Sequence, residues 1–181
     1  AQMHFEVPQS AFVPKAMLRQ ALIHYNADNG NRALERLKKV VNDYPNTPEA
    51  MQAVSTARMV YVDLGRTDEY ASWVQNIDFV EVTDADLDNT TYESAENQYF
   101  KNEYDRAISG FENYLQRFPN GIHSINANFY LGQMYFRNGN KQKAAANYRS
   151  VADKPKNEFT EDALSRLSEI LLENKNYREA V

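Results

Sequence analysis

An alanine returns along this chain at nearly constant intervals. Ala33, Ala71, Ala107, Ala144 and Ala180 are separated by 38, 36, 37 and 36 residues. A period of this length marks an array of small supersecondary units, each packed on its neighbours. The surroundings repeat too. Ala107 and Ala144 are followed four residues later by the aromatics Phe111 and Tyr148, and Ala33 by Leu37. Pro45, Pro119 and Pro155 follow these alanines by 12, 12 and 11 residues. The second unit has no such proline and reads as degenerate.

Within each unit the apolar residues recur at helical spacing and do not alternate, so each unit is expected to be two short helices. In the fourth unit a first helix from Ile125 to Phe136 leads through Arg137-Asn138-Gly139-Asn140 into a second from Lys141 to Ala152, which Pro155 helps to end. Gly132 and Ala144 lack bulk, which would let the two backbones approach, with Leu131, Tyr135 and Tyr148 filling the space around them. At Tyr44-Pro45-Asn46 and Phe118-Pro119-Asn120-Gly121 a proline stops a helix and polar residues begin a turn. The expected hairpins are 13–43, 48–78, 86–118, 124–154 and 160–181, the last cut short. One hairpin cannot hide its apolar face alone, so the units must stack into a continuous core, and about three are needed for stability. The chain thus reads as one solenoid over residues 1–181. The stop inside an expected helix points to an excerpt of a longer repeat protein.

Several chemistries are excluded by what the chain lacks. The 181 residues contain no cysteine, so disulfides, thiolate zinc sites and cysteine nucleophiles are ruled out together. No apolar run approaches the roughly 20 residues that cross a bilayer, so this segment is not expected to insert in a membrane. A net charge of −5 argues against nucleic acid as partner, because phosphate contacts need clustered cations. Residues 67–100 carry nine carboxylates and no Lys or Arg, a band that reads either as a solvated face or as a means of steering a basic partner. Asp84, Asp86 and Asp88 imitate a calcium loop, but Asn89 and Ala95 stand where an EF-hand needs glycine and glutamate. They read better as an acidic helix start. His4, His24 and His123 have no metal-ligand spacing, and His24 is expected to be packed in the structure. Glu93 and Glu96 are neighbours on one helix, which does not make the converging, pKa-split pair that acid-base hydrolysis requires. The glycines sit singly at turns and form no phosphate loop. No cofactor, metal or catalytic residue is expected.

Leu131-Gly132-x-x-Tyr135 followed by Ala144-x-x-x-Tyr148 and Pro155 resembles the tetratricopeptide repeat, and Ala95, Ala107-x-x-x-Phe111 and Pro119 match it nearly as well. Asn128 stands where the family often has tryptophan. The long spacing and the Arg117-Phe118-Pro119-Asn120-Gly121 junction resemble the subgroup of BamD-type outer-membrane assembly lipoproteins. This resemblance implies an all-α, right-handed α-solenoid of about five antiparallel helix hairpins. It also implies a non-enzymatic adaptor that binds a protein or peptide, with the periplasm or the outer membrane favoured and the cytoplasm the alternative. Positions lining the family's inner curve fall on Leu18, Leu22 and Tyr25, on Tyr92, Glu96 and Tyr99, and on Phe129, Gln133 and Phe136. Each trio forms one stripe on its helix, suited either to gripping a peptide or to packing against the next unit. The Lys and Asn clamp with which chaperone-binding relatives hold a peptide carboxylate is missing. A carbohydrate-binding module and a spacer within a longer array are the alternatives.

Overall fold

The computed structural model describes residues 12–173, which contain nine helices and no strand. These are α1 (Phe12–Asn26), α2 (Gly30–Asp43), α3 (Pro48–Leu64), α4 (Thr67–Val74), α5 (Asp84–Phe100), α6 (Tyr104–Arg117), α7 (Ser124–Arg137), α8 (Lys141–Ala152) and α9 (Thr160–Glu173). The chain is an all-α helical repeat. Its contacts group into two compact units, residues 1–83 and 84–181.

In the first unit α1 packs on α2 and α3, α2 on α3, and α3 on α4. The helix ends follow local chemistry. The Asn29 side chain accepts from the Arg32 amide at 3.3 Å, and the Thr47 hydroxyl from the Ala50 amide at 3.1 Å ahead of Pro48 at the first helical position. α3 closes on Gly65 with φ of 70°, a left-handed conformation that costs glycine nothing. The core is built largely of alanine, with Ala21, Ala33, Ala50, Ala53 and Ala57 fully buried around Leu37, Val60 and Tyr61. Small side chains let the helix axes approach closely, and the larger residues seal the gaps. α4 ends at Val74, four residues short of the expected limit, and residues 75–83 continue as turns and irregular chain.

In the second unit each helix from α5 to α9 packs on the next. Phe111, Tyr114, Tyr148, Leu131 and Ile170 are its largest fully buried side chains. The small residues make room for close packing. A Cβ on Gly132 would lie 2.8 Å from the Tyr148 ring, so this glycine clears room for an aromatic face. A close backbone approach occurs at Gly110, where a Cβ would stand 3.2 Å from the Ala95 Cα. α5 buries polar residues, and two of them satisfy their hydroxyls locally. Thr90 Oγ1 donates to the Asp86 carbonyl at 2.6 Å and Thr91 Oγ1 to the Leu87 carbonyl at 2.7 Å. Of the fifth hairpin expected over 160–181, α9 forms the first helix, and residues 174–181 lie outside the described residues.

A buried carboxylate ties α5, α6 and the start of α7 together. The Tyr114 hydroxyl donates to Asp88 Oδ1 at 2.7 Å, and the Ile122 amide donates to Asp88 Oδ2 at 3.1 Å. The same tyrosine oxygen accepts from the His123 amide at 3.0 Å. Gly121 lies against this group, where a Cβ would come within 2.4 Å of the Tyr114 hydroxyl and 2.5 Å of Asp88 Oδ2. The His123 ring stacks on Tyr92 at 4.1 Å and 11°, and its Nε2 lies 2.8 Å from Asn89 Oδ1. Asp84 and Asp86 remain exposed in the first turn of α5, as an acidic helix start requires.

Candidate functional site

The expected stripes divide between core and surface. On α5, Tyr92 is 5% exposed and packs on Phe111 and Tyr114, while its hydroxyl donates to Glu96 Oε1 at 2.7 Å. Burial, then the hydrogen bond to Glu96, pushes the Tyr92 phenol well above its usual range, which keeps it a neutral donor. Glu96 and Tyr99 are partly buried. The Tyr99 hydroxyl donates to Gln133 Oε1 of α7 at 3.1 Å, so these two expected residues do meet.

On α7 the expected trio separates. Phe129 is 6% exposed, stacked on Phe159 at 4.5 Å and edge-on to Tyr148 at 6.2 Å, so its ring belongs to the core and offers no open surface. Phe136 is partly buried beneath the Arg166 guanidinium of α9, 5.1 Å away. Gln133 faces α5. The residue that sequence reasoning missed is Tyr130. Its partly buried ring lies 4.7 Å from Tyr99, 5.6 Å from Phe111 and 6.4 Å from Phe159. Burial first, then Glu96, raises the Tyr130 phenol. Asn126, Tyr130, Gln133 and Arg137 recur every three or four residues, which is the signal that could have found it. Arg137 sits over the Tyr104 ring at 4.8 Å and closes one end. The resulting face joins half-buried aromatics to polar tips and a carboxylate, a combination suited to holding a peptide backbone and its side chains.

In the first unit Leu18 is buried, Leu22 is exposed and Tyr25 is partly buried. The Tyr25 hydroxyl donates to Asp63 of α3, and burial together with that bond pushes its pKa up to about 12. This tyrosine therefore pins α1 to α3. His24, expected to be packed, is partly buried and lines a cleft beside α2.

A family model described as tetratricopeptide repeat matches residues 15–47, 92–121 and 126–157, more than half of the chain. This chain belongs to the tetratricopeptide repeat family. The matches fall on α1 with α2, on α5 with α6, and on α7 with α8, while the degenerate hairpin α3 with α4 lies outside them. No curated protein sequence matches. Several solved structures resemble it at low identity. MamA is 19% identical over 88% of this chain and 86% of its own, with a TM-score of 0.44. The apo form of RapI is 17% identical over 92% of this chain and 50% of its own, with a TM-score of 0.48. A signal transduction ATPase with a tetratricopeptide repeat sensor from Pyrococcus horikoshii is 16% identical over 92% of this chain and 28% of its own, with a TM-score of 0.43. Among the described residues no helix is long and apolar enough to cross a membrane, and no cluster of His, Asp and Glu could hold a metal ion.

Proposed function

We propose that this tetratricopeptide repeat chain is a non-catalytic protein-interaction scaffold whose second unit grips a partner peptide or helix across α5 and α7. Tyr99, Tyr130 and Gln133 form the centre of that face, with Glu96 and Phe136 beside it. One observation carries the reading: the hydrogen bond from Tyr99 to Gln133 fixes two partly exposed groups of different helices in one arrangement before any partner arrives. Such preorganisation lowers the entropy lost on binding. Asp84 and Asp86, exposed at the start of α5, together with the partly buried Glu93 and Glu96, favour a partner with basic residues and would speed its approach. The long repeat spacing, which resembles that of BamD-type lipoproteins, supports a place in bacterial cell-envelope assembly.

The test is a selection of displayed peptides against the whole chain, followed by affinity measurement on variants. Gln133→Ala with Phe136→Ala is expected to weaken the selected peptides by about tenfold or more while leaving the melting temperature nearly unchanged. Peptides that bind the double variant as tightly as the original, or a double variant that no longer folds, would remove the face from consideration.

A further inference from the structure

One exposed face of α2 has a character opposite to the acidic band. Arg32, Arg36 and Lys39 lie along one stripe of this helix, and with Glu35 and His24 they line a cleft of about 360 Å³. All three cations are exposed. Lys39 Nζ is paired with Asp43 Oδ2 at 2.7 Å, which neutralises that end of the cleft. Neither Arg32 nor Arg36 forms an ion pair among the described residues. Two guanidinium groups therefore face solvent beside a concave surface, four residues and about 6 Å of helix rise apart.

We propose that this cleft binds an acidic segment of a partner protein that presents two carboxylates one helical turn apart to Arg32 and Arg36. A guanidinium matches a carboxylate with two parallel hydrogen bonds, so the pair of arginines reads both charge and spacing. Glutamates four residues apart on a helix repeat at the same rise and meet both forks at once. A protein segment fits better than nucleic acid. Two unpaired cations neutralise few phosphates, and Glu35 together with the chain's net charge of −5 repels a polyanion that cannot place its charges selectively. The site lies in the first unit and does not depend on the α5 and α7 face.

Fluorescence anisotropy with a labelled helical peptide carrying glutamates four residues apart tests this on the whole chain. Saturable binding is expected at low ionic strength and should weaken as salt is added. Arg32→Glu with Arg36→Glu should reduce the affinity by about tenfold or more, Arg32→Gln with Arg36→Gln by less, and Gln133→Ala not at all. Circular dichroism confirms that each variant keeps its helix content. The proposal is overturned if the peptide does not bind at low salt, or if the charge-reversed variant binds it equally well. It is overturned also if inorganic phosphate or a single-stranded oligonucleotide displaces the peptide as effectively as an unlabelled copy does, since the cleft would then be an unselective anion patch.

Discussion

A carboxylate can sit out of water only where donors replace its hydration, and Asp88 has the Tyr114 hydroxyl and the Ile122 amide in that role. Asparagine at this position would keep one accepting oxygen and point an amino group at a donor. Asp88→Asn is therefore expected to destabilise the fold by about 1–3 kcal/mol, read from chemical denaturation. Gly121→Ala crowds the same oxygens and should cost about 1–3 kcal/mol by overpacking. Phe129→Ala removes a buried ring between Phe159 and Tyr148 and should cost about 3–5 kcal/mol, a collapse of the melting temperature that Phe136→Ala does not share. The role of Asp88 was hidden in the sequence because Asp84, Asp86 and Asp88 share a composition and a spacing. Only Asp88 faces a tyrosine 26 residues away, and no local pattern records that.

The helices themselves were legible because their limits are local events. Thr47 both donates to the Tyr44 carbonyl at 2.6 Å and accepts from the Ala50 amide, joining the end of α2 to the start of α3. Thr47→Ala should cost about 0.5–2 kcal/mol, measured as a lower denaturation midpoint with an unchanged slope. The rotation of α7 about its axis was less legible. This helix contacts α6 on one side and α8 on the other, so its apolar sector is wide and takes in both Phe129 and Tyr130. Periodicity places such a sector but does not divide it between core and open face. Phe129 falls on the core side of that sector and Tyr130 lies beside Tyr99, while Gln133 reaches α5 as expected.

Across the molecule, tyrosines in both units stay neutral to unusually high pH. Burial, aided at Tyr25 by the bond to Asp63, lifts the phenols of Tyr25 and Tyr148 to about 12 from an ordinary value of 10.0. The folded state thus holds these protons more tightly than the unfolded one. Their stabilising contribution is complete below pH 10 and disappears as pH rises from 10 through about 12. Melting temperature should be nearly level from neutrality to mild alkali and then fall across that window. A level curve through pH 12 would mean that these hydroxyls are not held as described. At the acid end Glu112 acts in the opposite sense. The Tyr135 hydroxyl first, then Lys143, holds its carboxyl below the usual range, so its contribution is present near neutrality and lost on acidification.

Period, helix pairs and family membership were fixed by the chain alone, because an alanine every 36 to 38 residues, a proline after each clear hairpin and an unbroken helical rhythm are all short-range properties. The grouping of contacts into residues 1–83 and 84–181, the burial of Asp88 and Phe129, and the meeting of Tyr99 with Gln133 were decided by tertiary structure. Each depends on which side of a helix meets a partner more than twenty residues distant, and that orientation is set by packing volume and hydrogen-bond satisfaction.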